Sequence, residues 1–338
     1  MTNSIEVSEI VKSFGTLTAV KGVSFDVKEG EFFGFLGPNG AGKTTLIRML
    51  TTLLKPTSGT AKVAGLDVVE NPREVRKNIG VVPQAMTSDL DLTGIENMDI
   101  YGKFYEIPKR ERKDRISYLL DIVGLSQRGN DLVASYSGGM RRRLEIAKAL
   151  MHRPKILFLD EPTIGLDPQS RHVIWELLRK LRAEDPSITI FLTTHYMEEA
   201  EVLSDRVAII DSGSIIAIGT TKQLKTDLPG NDIITISFSN LSETLAEALK
   251  ERIGGLSFVH KIQKEDSTLR VYVDNGAKNL PTLLDEIKSQ GGQVSSVGIH
   301  EQSLEDVFIH YTGKSIREEE VKKVSLFIGA GVPRKWGR

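Results

Sequence analysis

Residues 37–44 carry glycines, a lysine and a threonine at the spacing of a phosphate-binding loop. The segment Gly37-Pro38-Asn39-Gly40-Ala41-Gly42-Lys43-Thr44 matches G-x-x-x-x-G-K-[ST] and lies between an apolar strand-like segment and a helix-like one. Glycines let successive N–H groups turn toward phosphate oxygens, and the following helix adds the positive end of its dipole. We expect Lys43 to reach the terminal phosphates and the Thr44 hydroxyl to bind Mg²⁺. The alternative is a plain glycine turn, but the flanking strand and helix favour a nucleotide site.

Two carboxylates follow a second apolar segment. Residues 156–159 (ILFL) predict a buried strand, and Asp160 and Glu161 come directly after it. Such a strand would hold Asp160 against Mg²⁺ and leave Glu161 to polarise a water for attack on the γ-phosphate. A strand that ends in a solvated acidic turn is the alternative, and the phosphate-binding loop earlier in the chain favours the catalytic interpretation.

A Ser-Gly-Gly turn at 137–139 opens a predicted helix, and with it the chain resembles the ATP-binding cassette (ABC) superfamily. In that family the turn grips the γ-phosphate of ATP held by a second cassette. Small side chains and exposed helix N–H groups suit this contact. The family's usual leading Leu and trailing Gln are here Tyr136 and Met140. An ordinary glycine turn that caps a helix is the alternative.

The resemblance implies roles for further residues. Gln84 matches the glutamine that contacts Mg²⁺ or water, Asp167 matches an acid at the dimer interface, and Phe14 matches an aromatic that stacks on adenine or packs in the core. The implied cofactors are ATP and Mg²⁺. The catalytic residues would be Glu161 and His195, the Mg²⁺ ligands Thr44, Gln84 and Asp160, and the nucleotide contacts Phe14, Gly37, Pro38, Asn39, Gly40, Ala41, Gly42, Lys43, Thr44, Thr45, Gln84, Ser137, Gly138, Gly139 and Asp167.

The resemblance also implies partners. Because the Ser-Gly-Gly turn acts on ATP held elsewhere, a head-to-tail pair of chains is expected. Residues 302–313 are similar to a segment found in cassettes of the daunorubicin-resistance exporter type, and we expect this segment to be a packing helix. That similarity implies a prokaryotic ATPase at the cytoplasmic face of the membrane, paired with a separate ABC-2-type permease that exports drugs, lipids or polymers.

Three alternative functions are less favoured. Ribosomal cassette ATPases usually carry two cassettes, and DNA-repair members have a long insertion before the Ser-Gly-Gly turn, so neither pattern fits this chain. A regulatory ATP sensor would not need Glu161 and His195. The basic runs 141–143 and 109–115 are interpreted as solvated helix faces, and no nucleic-acid partner is expected. Only residues 302–313 favour an exporter over an importer.

The composition excludes several other chemistries. The 338 residues include no cysteine, which removes disulfides, thiolate metal sites and thiolate catalysis. Lys and Arg total 44 and Asp and Glu 45, so no global positive field attracts a polyanion. No stretch approaches the ~18 consecutive apolar residues of a membrane span.

The order of predicted elements gives the fold class. Alternating strands and helices predict an α/β P-loop cassette over residues 1–222, with an inserted helical lobe at about 85–150. Residues 231–312 predict a smaller α+β domain in the order βαββαβ, the ferredoxin-like arrangement. The tail 313–338 fits neither domain and is expected to be mobile or bound to a partner.

Overall fold

The computed structural model describes residues 2–226, 228–230 and 232–312. The predicted tail 313–338 lies outside the described residues. The chain divides into two compact units, the first up to Ile218 and the second from Gly219. Within the described ranges, no helix has the length and apolar character needed to cross a membrane.

The first unit alternates strands and helices. Its strands are β1 (Asn3–Phe14), β2 (Leu17–Lys28), β3 (Phe32–Leu36), β4 (Ser58–Val63), β5 (Leu66–Asp67), β6 (Ile79–Val82), β7 (Ile156–Asp160), β8 (Thr189–Thr194), β9 (Arg206–Asp211) and β10 (Ser214–Gly219). Its helices are α1 (Lys43–Leu50), α2 (Pro72–Asn78), α3 (Gly94–Phe104), α4 (Lys109–Ile122), α5 (Gly138–Ala149), α6 (Pro168–Glu184) and α7 (Met197–Leu203), with 3-10 turns at Ser126–Arg128 and Val133–Ser135.

A six-stranded sheet in the order β10-β9-β3-β8-β7-β6 positions the predicted chemistry. From β9 to β6 the neighbouring strands are parallel. Every residue of β3, β7 and β8 is buried, and the apolar stretches FFGFL, ILFL and IFL within them predict buried strands. Leu36 pairs with Thr194 and Asp160 with Thr193, so these three adjacent strands end at one edge of the sheet. Ligands of open α/β sheets bind at that edge.

A four-stranded sheet in the order β2-β1-β4-β5 belongs to the same unit. Its apolar residues form one buried cluster with α1 and with β3, β7 and β8 of the parallel sheet. Phe25 of β2 stacks on Phe33 of β3 at 5.4 Å between ring centroids. This packing holds α1, the helix that follows the phosphate-binding loop, between residues of both sheets.

The segment between β6 and α5 is helical, as predicted. Thr93 and Glu96 form a reciprocal capping box at the start of α3. The prediction of solvated basic faces was wrong in part. Arg142 is only 1% exposed, and Arg112 is buried with Nε against Asp99 Oδ1 at 2.5 Å. These guanidinium groups are buried because carbonyl and carboxylate oxygens of neighbouring segments receive their hydrogen bonds.

The second unit has α8 (Thr221–Thr226), β11 (Asp232–Phe238), α9 (Glu243–Gly254), β12 (Val259–Glu265), β13 (Thr268–Val273), α10 (Gly276–Ser289), β14 (Val294–Glu301) and α11 (Leu304–Thr312). Its antiparallel sheet has the order β12-β13-β11-β14. This confirms the predicted ferredoxin-like arrangement. Ser242 caps α9 by accepting a hydrogen bond from Leu245 N at 3.2 Å.

Candidate functional site

The phosphate-binding loop needs glycine at two positions for different reasons. A Cβ on Gly37 would lie 2.2 Å from the carbonyl oxygen of Ile210, which leaves no room for a side chain. Gly42 has φ +108°, a conformation that L side chains rarely adopt, and a Cβ there would lie 2.5 Å from Ala19 O. Between them, Asn39 and Gly40 are exposed. Gly37 therefore allows close packing of the backbone, and Gly42 allows the backbone to turn.

Helix α1 begins directly after this loop. Lys43, Thr44 and Thr45 are its first three residues, and Gly42 before them supplies no capping side chain. N–H groups in a first helical turn have no acceptor within the helix. Together with the helix dipole, these groups form a natural binding site for an anion such as phosphate.

The Lys43 ammonium is buried at the centre of the site. It donates to Gly37 O at 2.8 Å and Pro38 O at 3.0 Å, and its Nζ lies 3.0 Å from Glu161 Oε1. Only 4% of the Lys43 side chain and 6% of the Glu161 side chain are exposed. The loop thus holds a desolvated cation directly against the carboxylate that follows β7.

Glu161 directly follows β7, and its carboxylate contacts His195, which directly follows β8. The Nδ1 atom of His195 lies 3.1 Å from Glu161 Oε2. Burial acts to raise the pKa of Glu161, but the hydrogen bond with His195 and the charge of Lys43 bring it below its usual value. Glu161 also has φ +48°, a strained conformation for a residue with a side chain. The site therefore holds an ionised carboxylate in a fixed direction.

Asp160 forms a second pair of oxygen donors with Thr44. Thr44 Oγ1 donates to Asp160 Oδ1 at 3.2 Å, and Thr193 Oγ1 donates to the same oxygen at 2.7 Å. Burial raises the pKa of Asp160, so a cation beside it would favour the ionised form. A buried carboxylate and a hydroxyl suit Mg²⁺, which prefers oxygen ligands. Within the described part of the chain, no three His, Cys, Asp or Glu gather as a metal-binding group.

The other predicted site residues lie on separate elements. Exposed Ser137 caps α5 and accepts from Met140 N at 3.2 Å, and Asp167 caps α6 with Ser170. Gln84 follows β6 and is exposed, and Phe14 ends β1 at 49% exposure with Lys12 Nζ 5.2 Å from its ring. The contacts described above therefore join five predicted site residues, and these four are not part of that group. The five are Lys43, Thr44, Asp160, Glu161 and His195.

Two residues near the site, Thr193 and Glu199, were not predicted from the sequence. Thr193 supports Asp160, and Glu199 of α7 is fully buried, with Oε1 accepting from Thr163 Oγ1 at 2.8 Å and Trp175 Nε1 at 3.0 Å. No spacing in the sequence marks these residues, because their roles depend on how α6, α7 and β8 pack together.

Replacing Glu199 by Gln should stabilise the protein at alkaline pH. Burial raises the pKa of Glu199 despite hydrogen bonds and the nearby His195. The folded state then binds the proton more tightly than the unfolded state, so wild-type stability falls as pH rises above the ordinary glutamate pKa. A neutral amide lacks this loss. We expect Glu199→Gln to melt above wild type at pH 8, and the gap to close near pH 4.5.

Scanning calorimetry at both pH values measures this gap. The matched control is Glu198→Gln, which changes an exposed carboxyl one residue away and should leave the melting temperature unchanged. A Glu199→Gln variant that melts below wild type at pH 8 would show that the ionised carboxylate stabilises the fold.

Two family models match the chain. The model for ABC transporters matches residues 20–164, which include the phosphate-binding loop and Glu161. The model for the C-terminal domain of DrrA1-3-like ATP-binding proteins matches residues 219–312, which lie in the second unit. The first match therefore lies in the first unit and the second match in the second unit.

Curated relatives match the chain over nearly its whole length. The linearmycin resistance ATP-binding protein LnrL of Bacillus subtilis is 38% identical over 316 residues, covering 93% of this chain and 100% of that protein. The daunorubicin/doxorubicin resistance ATP-binding protein DrrA of Streptomyces peucetius is 39% identical over 312 residues, covering 92% and 93%.

A solved structure resembles about two thirds of the chain. The ATP-binding cassette MJ0796, a dimer in a post-hydrolysis state bound to ADP and Pi, matches with a TM-score of 0.58 and 28% identity. The match covers 64% of this chain and 98% of that one.

Proposed function

The chain belongs to the ATP-binding cassette transporter family of ATPases, and on that premise we propose that it is the ATP-hydrolysing subunit of an exporter. One observation carries the proposal: Lys43, Glu161 and His195 form a single buried chain of contacts at the edge where β3, β7 and β8 end. A P-loop lysine that binds phosphate, beside a carboxylate that can act on a water, suits transfer of a γ-phosphate to water, and His195 holds that carboxylate.

The residues of the site divide the work of hydrolysis. The first turn of α1 and the Lys43 ammonium bind the phosphates of ATP. A γ-phosphate that pairs with Lys43 competes with Glu161 for that ammonium. Glu161, held by His195 on its other oxygen, then accepts a proton from the attacking water. In the free protein Lys43 therefore pairs with the Glu161 carboxylate, and this pairing weakens when the γ-phosphate of ATP binds Lys43.

Mg²⁺ is proposed to bind Thr44, Asp160 and Gln84. When bound, the ion neutralises charge on the β- and γ-phosphate oxygens. Thr193 keeps the Asp160 carboxylate in place through its 2.7 Å hydrogen bond. His195 is proposed to contact the γ-phosphate, and Phe14 the adenine.

The Ser137-Gly138-Gly139 turn is proposed to act on the ATP of a second copy. It opens α5 with exposed N–H groups, and Ser137 and Gly138 are exposed in the single chain. A head-to-tail pair would place two ATP molecules between two cassettes, with Asp167 at the interface. The dimeric state of the similar cassette MJ0796 supports this arrangement.

The transport role follows from the relatives. Two that match more than nine tenths of the chain are named for resistance to linearmycin and daunorubicin/doxorubicin, and another, from Ralstonia nicotianae, for Nod factor export. These names support an exporter over an importer or an ATPase for ribosomes or DNA.

We propose that residues 1–222 are the motor domain with a helical lobe at about 85–150, and 231–312 an accessory domain. The motor acts at the cytoplasmic face on a separate membrane permease that moves a drug, lipid or polymer.

Purifying the chain from its native membrane tests this role. We expect an integral membrane permease to copurify in stoichiometric amounts and to stimulate ATP hydrolysis. Lys77→Ala removes one exposed surface ion pair and serves as the control variant, which should copurify with the permease as wild type does. Recovery with ribosomes or DNA, and no membrane protein, would contradict the exporter role.

A further inference from the structure

Three charged side chains of α5 are buried against the segment 83–88, which contains Gln84. Arg142 is 1% exposed, Glu145 3% and Lys148 5%. Charged groups remain buried only when they are paired and hydrogen-bonded, so their partners are part of the fold's design. We refer to Arg142, Glu145 and Lys148 with their contacts on 83–88 as the 83–88 clamp.

Glu145 is the centre of the clamp. Its carboxylate accepts four hydrogen bonds from the segment 83–88: from Thr87 N at 2.9 Å, Thr87 Oγ1 at 2.6 Å, and Ser88 N and Oγ at 2.7 Å each. Lys148 Nζ lies 3.3 Å from Glu145 Oε2 and donates to the hydroxyls of Thr87 and Ser88 at 3.0 and 3.1 Å. Both ends of the charge pair therefore hold the same two residues.

Arg142 fastens the other end of the segment. Its guanidinium donates to Pro83 O at 2.7 Å and to Gln84 O at 2.8 Å. Residues 85 and 86 between the two attachments are exposed. The Gln84 backbone is thus tied to α5 while its side chain is exposed.

The clamp lies one to three turns along the helix that the Ser-Gly-Gly turn begins. Arg142 follows Gly138 by four residues, about 6 Å along the helix axis. Helical hydrogen bonds make such a short stretch rigid, so a displacement of Gly138 moves Arg142, Glu145 and Lys148 with it. Because these three hold 83–88, Gln84 moves as well.

We infer that the 83–88 clamp couples the two ATP sites of the dimer within each chain. The inference rests on the proposed function, in which Gln84 serves the chain's own ATP and the Ser-Gly-Gly turn serves the partner's. ATP gripped at the start of α5 then biases Gln84 toward the position that its own site requires. Arg142, Glu145 and Lys148 are positioning residues, because they touch neither nucleotide. Coupling between two sites is reciprocal, so both ATP molecules should bind cooperatively.

The rate of ATP hydrolysis against ATP concentration tests the coupling in the full-length chain. We expect the wild-type Hill coefficient to exceed ~1.5, since two sites limit it to 2, and Glu145→Ala to lower it to about 1. Half-saturating ATP should rise ~5-fold or more. ATP binding to the single chain without Mg²⁺ should change less than about two-fold, because Lys43 is untouched. Thr87→Ala with Ser88→Ala leaves α5 intact and should give an intermediate Hill coefficient.

Arg143→Ala is the matched control on the same helix. Arg143 donates to Val123 O at 2.7 Å and Gly124 O at 3.3 Å, away from 83–88, so its loss should lower the melting temperature and preserve cooperativity. The inference is overturned if Glu145→Ala and the double variant keep the wild-type Hill coefficient, if Arg143→Ala loses as much of it, or if the wild type shows none. A wild-type chain without ATP turnover would instead overturn the proposed function.

Discussion

Glu161→Gln should lower the turnover number for ATP by about 10²–10⁴-fold and leave ATP binding intact. The amide has the size of the carboxylate but accepts no proton from the attacking water. Lys43 loses its carboxylate partner at 3.0 Å, and phosphate then meets no competitor for the ammonium. We therefore expect ATP affinity equal to or above that of wild type. Single-turnover hydrolysis and equilibrium binding with Mg²⁺ measure the two quantities separately.

The matched control for this variant is Glu176→Gln on the exposed side of α6, which should hydrolyse ATP at the wild-type rate. Hydrolysis by Glu161→Gln at the wild-type rate would remove Glu161 from its role as the base. A loss of ATP binding equal to the loss of turnover would instead make Glu161 a residue that shapes the binding site.

Lys43→Ala should weaken ATP binding by ~30-fold or more. Removing one partner of a buried charge pair costs about 2–5 kcal/mol, which is ~30-fold or more in affinity. In the free protein the change also leaves the buried Glu161 with His195 alone, so the melting temperature should fall. Isothermal titration with ATP measures the affinity, and a cooperative melting transition confirms that the variant folds.

Lys77→Ala provides the comparison for Lys43→Ala. Its side chain is 67% exposed and its ammonium pairs with Glu74 on the surface, a contact of about 0–1 kcal/mol. This control should bind ATP as wild type does. If a folded Lys43→Ala protein also bound ATP with wild-type affinity, the phosphate-binding loop would not hold the nucleotide in the proposed way.

The elements that could be predicted are those with a strong local signal. The phosphate-binding loop is fixed by residue types at short spacing, and β3, β7 and β8 by continuous apolar runs. The second unit was predicted because Ile234, Ile236 and Phe238 alternate along β11 and all face its core. In each case neighbouring residues along the chain carry the information.

The elements that were missed depend on distant partners. Strand β4 (SGTAKV) has two buried residues and little apolar content, and β1 pairs with it. Burial of Arg142 could not be predicted, because nothing in its helix shows that Pro83 and Gln84 will supply acceptors. Thr193 likewise becomes a support for Asp160 only when β7 and β8 pair. For this reason the basic runs 141–143 and 109–115 were interpreted as solvated, although the fold buries Arg142 of the first run and Arg112 of the second.

We propose that two copies of this chain enclose ATP between them, and the mass of the Glu161→Gln variant in solution measures whether they do. With saturating ATP and Mg²⁺, sedimentation equilibrium should show the 37.4 kDa chain shifting to a species of about twice that mass, which retains two ATP molecules per pair. Without nucleotide the mass should return to that of one chain. A variant saturated with ATP that still sediments as one chain would contradict the shared active site.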